Sequence, residues 1–159
     1  GARKITVSTV GFPDRLDKLG KTNPGFQLAI SLHTPFDEQR AQLVPAMAKV
    51  PVGDVLRAGD QWFRDTGRQI TYEYVVLGGV NDSREHSDRL AARLRGRRCT
   101  VNLIPYNPIE GDRYKRPSRA DVEDFADELR EANVVTTIRW SRGLDSDAAC
   151  GQLRLRSTL

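Results

Sequence analysis

Gln69-Ile70-Thr71-Tyr72-Glu73-Tyr74-Val75-Val76-Leu77, followed at once by Gly78-Gly79-Val80-Asn81-Asp82, decides how this chain is read. A run so rich in β-branched and aromatic side chains predicts a strand, and the glycine pair ends it. Asp82-x-x-Glu85 then has the form of a capping box. It opens a predicted helix that carries Leu90 and Leu94 and stops at Gly96. Cys99–Ile104 reads as strand again. Strand, helix and strand in this order make a βαβ unit with parallel strands.

The same alternation extends in both directions. Further strands are predicted over Lys4–Val10, Gln27–Leu32 and Val134–Trp140. Several of these runs are nearly continuously apolar, which predicts parallel strands buried on both faces. Val52, Val55, Leu56 and Phe63 fall on one face of a helix that Gly67 stops. Ser118-x-x-Asp121 opens another, with Val122, Phe125, Ala126 and Leu129 at helical spacing. A shorter helix is expected over Asp37–Val44, ahead of Pro45. The fold class is therefore α/β with a mostly parallel sheet.

Bulk properties narrow the function. The 159 residues suit about one domain. A hydrophobic fraction of 38% with 29% charged residues describes a folded, water-soluble chain. No run approaches the roughly 20 apolar residues of a membrane span. Two cysteines without framework spacing argue for a reducing cytoplasm. The balance of 25 basic against 21 acidic residues gives a net charge of +4. Arginines cluster at Arg95, Arg97 and Arg98, at Lys115, Arg116 and Arg119, at Arg139 and Arg142, and at Arg154 and Arg156. Such clusters can meet phosphates, though charge runs are also ordinary solvated faces. The chain starts at Gly1 with strand pattern within a few residues, so a fragment is expected.

In parallel α/β architectures, function sits at the C-terminal ends of the strands. Here those ends read Ser8-Thr9-Val10-Gly11, Ser31-Leu32-His33-Thr34-Pro35 and, after Glu73, Gly78-Gly79-Val80-Asn81-Asp82. The fourth is Pro105-Tyr106-Asn107-Pro108, and the fifth leads to Cys150. Together they suggest the rim of one barrel-like site. Cys150, among small residues on a loop past a strand, is the first candidate for chemistry. Ser8 and Ser31 either donate to a small polar ligand or cap strand ends. His33 is a base, a ligand donor or a satisfied core histidine. Asn107 reads a carboxylate or ribose, or is a turn residue. Glu73 is a buried partnered carboxylate or an outward-facing one. Tyr106 and Tyr114 stack on bases or pack into turns. Cys99, at a strand start, is read as structural. Two cysteines and two histidines are too scattered for a metal site, so no metal ligand is assigned.

Six ordered blocks, running almost end to end, resemble a known family. They are ITVSTVG (5–11), LAISLH (28–33), ITYEYVVLGGVNDS (70–83), VNLIPYNP (101–108), YKRPS (114–118) and SRGLDSDAACGQL (141–153). The family is that of the bacterial radical SAM methyltransferases that act on C2 of adenosine in 23S ribosomal RNA and certain transfer RNAs. The resemblance implies the C-terminal part of a partial (βα)6 radical SAM barrel, TIM-like, with residues 1–159 as a single domain. It implies S-adenosylmethionine and a 4Fe–4S cluster as cofactors, RNA and a reducing electron donor as partners, and a monomer. By position Cys150 resembles the family's methyl-carrying cysteine. That thiolate accepts a methyl group as S-methylcysteine, and a 5′-deoxyadenosyl radical then abstracts hydrogen from the methyl. The carbon radical adds to adenine C2, and a second cysteine resolves the product through a disulfide. Ser8, Ser31, Leu32, His33 and Asn107 match the family's S-adenosylmethionine contacts.

The chain departs from the family pattern in several ways. It holds no CxxxCxxC, and the family's cluster-binding barrel half, its methionine-binding strand end and its N-terminal RNA-binding domain have no counterpart here. Cys99 does not match the resolving cysteine. Trp140 stands where an arginine is common, and Thr34 and Phe36 differ from the usual loop. The expectation is a fragment of an adenosine-C2 methyltransferase, inactive by itself. Two alternatives come from other classes: a degenerate, non-catalytic RNA-binding barrel module, and a small thiol enzyme pairing Cys150 with His33.

Overall fold

A computed structural model describes Gly1 and residues 4–141. Five strands form a single sheet, β1 Thr6–Thr9, β2 Gln27–Ser31, β3 Ile70–Val76, β4 Cys99–Pro105 and β5 Val135–Ile138. They lie side by side in chain order, and all four pairings are parallel. Sequential order without a switch point is the order of a barrel wall. Right-handed crossovers then put every connecting helix on one side. The helices are α1 Pro13–Lys21, α2 Asp37–Leu43, α3 Val52–Thr66, α4 Arg84–Leu94 and α5 Arg119–Glu131.

Of the strands, only β2 is buried on both faces, at Leu28, Ala29 and Ile30. β3 and β4 alternate strictly between buried and half-buried positions. Leu28, Ile30, Ile70, Tyr72, Tyr74, Val76, Val101 and Leu103 form the core beneath the helices. The opposite face carries Ser31, Glu73, Asn102 and Thr137 in one register row. A polar row half open to solvent cannot be a second core, and it marks the face on which a ligand can sit. Thr71 and Thr100 bond to each other at 3.1 Å in the row below.

Two local expectations change. In α3 the buried aromatic is Trp62, not Phe63. Trp62 packs with Phe26, while half-buried Phe63 lies under Arg98. Asp82 does not cap α4. Its carboxylate turns back to accept from the Gly79 N–H, and Ser83 holds the cap position. Helix α1, for which the sequence set no expectation, is short but amphipathic, and Leu16 and Gly20 pack it against α3. By contrast, Gly67 ends α3 in the left-handed conformation, and Ser118 Oγ accepts from Asp121 N–H at the start of α5.

Helix α3 can sit close to the sheet because Gly59 has no side chain. A Cβ there would lie 2.2 Å from the Tyr72 hydroxyl oxygen. Gly59→Ala should therefore destabilise the fold by about 1–3 kcal/mol through overpacking. Adding Tyr72→Phe should recover most of the loss in urea denaturation. An equal loss with and without Tyr72→Phe would refute this packing account.

Candidate functional site

The C-terminal ends of β1, β2 and β3 are held together from beneath by two buried polar side chains. Arg40, on α2, is fully buried. Its Nη2 donates to Val10 O and Ser31 O at 2.8 Å each, and its Nε donates to Leu32 O at 3.2 Å. Burial pulls its pKa down, and nearby Asp37 opposes that. Asn81, also fully buried, works from the β3 side. Its Nδ2 donates to His33 O and Val75 O, and its Oδ1 accepts from Leu77 N–H. Its own carbonyl accepts from the Tyr74 hydroxyl at 2.6 Å. Neither residue was singled out from sequence.

Between these clamps the chain at His33 turns with a left-handed φ of 64°. Non-glycine residues rarely hold that conformation outside turns and functional sites. The turn lets His33 Nδ1 accept from Val75 N–H at 3.1 Å. Desolvation by burial, then the charge of Arg40, pushes the imidazole pKa down to about 4. The ring is therefore neutral near pH 7. Because Nδ1 is an acceptor, the proton sits on Nε2, which has no hydrogen-bond partner among the described residues. His33 is thus a neutral donor and not a ready base.

Ser31 lies at the last position of β2, in register with Glu73. Asn107 follows β4, and its amide donates to the Ser141 hydroxyl at 2.5 Å. That contact brings the segment after β5 beside the end of β4. Asn102 accepts from the Thr137 hydroxyl in the same polar row as Ser31. The structure brings Ser31, His33 and Asn107 to one end of the sheet. Ser8 is exposed and lies one row lower, paired with Ala29. Leu32 points the other way. Its side chain is in the core, its N–H donates to Glu73 O and its carbonyl accepts from Arg40. It can act on a ligand only by positioning its neighbours. Cys150 lies outside the described residues.

The departures noted in the sequence have partners. Thr34 bonds to Gln39, whose amide donates to Val80 O and whose oxygen meets His86 Nε2 at 3.0 Å. Phe36 sits edge-on to His86. Trp140 stacks under Arg119 at 4.6 Å. Gly78 is pressed against the 114–118 block, with its N–H donating to Lys115 O and room for no Cβ beside Arg116 O. Tyr106 and Tyr114 meet edge to face. Cys99 is buried, and burial raises its thiol pKa to about 11, so it is protonated at neutral pH. This agrees with a structural role.

The donors and acceptors with spare capacity at this end include the Ser31 hydroxyl, His33 Nε2 and the Asn107 side-chain carbonyl oxygen. They fit the carboxylate, amine and ribose hydroxyls of S-adenosylmethionine. An iron–sulfur cluster does not fit the described residues. They hold one cysteine, which is buried, and no group of three or more side chains able to hold a metal ion. Among them no helix is long and apolar enough to cross a membrane.

His33 makes stability depend on pH. Its folded pKa of about 4 lies below the ordinary imidazole value of 6.5. The unfolded chain therefore binds the extra proton first, and stability should fall as pH drops from about 6.5 to about 4. The chain has only two histidines, so its imidazole NMR signals are simple to assign. His33 should remain neutral at pH 5.5, and His33→Gln should flatten the decline. A titration midpoint near 6.5 for His33 would contradict the clamp.

Comparison with known proteins fits this geometry. No protein-family profile matches the chain. It is 48% identical over 165 residues to the probable dual-specificity RNA methyltransferase RlmN of Synechococcus elongatus, covering 99% of this chain and 46% of that protein. The protein of the same name from Rhodopirellula baltica is 47% identical over 152 residues, covering 96% and 41%. A crystal structure of a radical SAM methyltransferase from Sphaerobacter thermophilus superposes with a TM-score of 0.90 at 45% identity, over 97% of this chain and 45% of that one. A domain of the pyruvate-formate lyase-activating enzyme from Bacteroides vulgatus shares the fold at 17% identity, with a TM-score of 0.64. The chain spans under half the length of the curated relatives it matches, and over that span it is similar to the proteins named RlmN and to the radical SAM methyltransferase structure.

Proposed function

We propose that this chain supplies part of the S-adenosylmethionine site and the methyl-carrying thiol of a radical SAM enzyme that methylates C2 of adenosine in RNA. The observation that carries the reading is the arrangement at one sheet end. Ser31, His33 Nε2 and Asn107 converge there with unfilled hydrogen-bonding capacity, on carbonyls fixed by Arg40 and Asn81.

The chain's own residues have distinct tasks. Ser31 and Asn107 bind and orient the ligand through hydroxyl and amide. His33 donates one uncharged hydrogen bond, so it adds no positive charge beside a cationic sulfonium. Ser8 lines the lower edge of the same face, and Leu32 keeps Ser31 and His33 in register. The thiolate of Cys150 is the chain's methyl acceptor. Bound S-adenosylmethionine, with an electron from a 4Fe–4S cluster held outside the described residues, supplies both the methyl group and the radical. Residues 1–159 form one unit of that enzyme, RNA is its substrate, and the intact protein acts as a cytoplasmic monomer with a separate electron donor.

In the intact, anaerobically reconstituted protein, Cys150→Ala should abolish methyl transfer to RNA while leaving S-adenosylmethionine binding within about twofold. Ser31→Ala with Asn107→Ala should instead weaken that binding by about tenfold or more, two lost hydrogen bonds at about 1 kcal/mol each. Undiminished adenine methylation by Cys150→Ala would overturn its role, and unchanged binding by the double variant would overturn the site.

A further inference from the structure

The arginines at 95, 97 and 98 take no part in the site above. With Arg64, Arg93 and Asp60 they line a cavity of about 480 Å³. Arg64 belongs to the last turn of α3 and Arg93 to the last turn of α4. The other three lie on the connection into β4, where Gly96, at φ 77°, reverses the chain between Arg95 and Arg97. β4 runs seven residues from this connection to Pro105, about 20 Å. The cavity and Asn107 therefore sit at opposite ends of one strand.

Five guanidinium groups face one carboxylate here, a local charge of +4. That equals the formal net charge of the whole chain. Asp60 is engaged by Arg97. Arg64 bonds to the Gln61 side chain, and Arg97 Nε donates to Arg93 O. Arg93 Nε is buried and has no hydrogen-bond partner among the described residues. Arg98 lies over the Phe63 ring at 6.0 Å, and both Arg95 and Arg98 are exposed. Neither has a carboxylate partner among the described residues.

Neutralising helix ends accounts for part of the cluster. α3 and α4 both finish at this cavity, and cations favour helix C-termini. Arg64 and Arg93, in the last turns, meet that need. Arg95, Arg97 and Arg98 lie beyond it, and a stacked, planar guanidinium over an aromatic floor is the form that takes phosphate in a two-pronged hydrogen bond. We propose that this cavity binds a backbone phosphate of RNA, holding the polynucleotide at the end of the sheet remote from the methyl-transfer site. The choice of RNA over another phosphate source rests on the proposed function.

The test uses the intact protein carrying this chain and a fluorescently labelled RNA hairpin, titrated across a range of potassium chloride concentrations. Arg95→Glu with Arg98→Glu should weaken binding at low salt by about tenfold or more. It should also flatten the plot of log affinity against log salt by about 1–2 units, as expected for one or two lost phosphate contacts. Arg95→Lys with Arg98→Lys should keep most of the slope. An unchanged slope in the Glu variant would overturn the site, and so would a lowered melting temperature without a change in slope. If inorganic tripolyphosphate occupied the cavity without being displaced by RNA, the RNA assignment would be overturned. S-adenosylmethionine binding, measured on the same samples, should be equal in all three proteins. Its absence from the wild type would count against the proposed function, while the slopes decide the cavity independently.

Discussion

The rest of this structure depends on one guanidinium. Arg40 leaves α2, enters the interior fully buried and donates to carbonyls at the ends of two adjacent strands, Val10 O from β1 and Ser31 O and Leu32 O from β2. Carbonyls past the end of a ladder have no strand partner, and a buried one left unpaired costs about 1–3 kcal/mol. A charged donor bonding three of them spares that cost and fixes their directions together. Asn81 repeats the device one strand over, bonding His33 O and Val75 O through one amide. The strand ends are thereby rigid before any ligand arrives, which is what a binding site made of small side chains needs.

From that rigidity the chemistry of the rim follows. His33 can hold its left-handed backbone because its carbonyl and its Nδ1 are both engaged, by Asn81 and by Val75. Desolvation and Arg40 then keep the ring neutral. The same arginine thus fixes the position of the histidine and suppresses its charge. At the far side, Asn107 and Ser141 join the ends of β4 and the segment after β5, so the polar row Ser31, Glu73, Asn102 and Thr137 is framed on both sides. Charge is distributed along the strand axis as well. At the end near His33 the Arg40 guanidinium is buried and engaged with backbone carbonyls, while the opposite end of β4 gathers an arginine cavity with a net charge equal to that of the whole chain.

Much of this was legible in the residues themselves. The run from Ile70 to Val76 with its glycine stop, the helix that Gly67 ends and the Ser118 cap are written in local pattern, and local energetics decide them. Ser31, His33 and Asn107 could be found from their position after strands, because parallel architecture makes such positions converge. Arg40 could not. In Asp37-Glu38-Gln39-Arg40 it reads as an exposed helix face, and only tertiary packing turns it inward. Asn81, between Val80 and Asp82, reads as a turn asparagine for the same reason. Helix α1 has just Leu16 and Leu19 as large apolar residues in a charged run, and its packing against α3 supplies what propensity does not. Trp62 took the place expected for Phe63 because periodicity resolves a helix face only to within a residue.

The central claim is that one end of this sheet, pre-set by Arg40 and Asn81, receives S-adenosylmethionine. Amide hydrogen exchange on the intact, reconstituted protein, with and without S-adenosylmethionine, tests it most directly. The account predicts added protection at residues 8–11, 31–35 and 105–108, with no change at residues 93–98. Protection confined to residues 93–98, or no protection at any of the three strand ends, would contradict it.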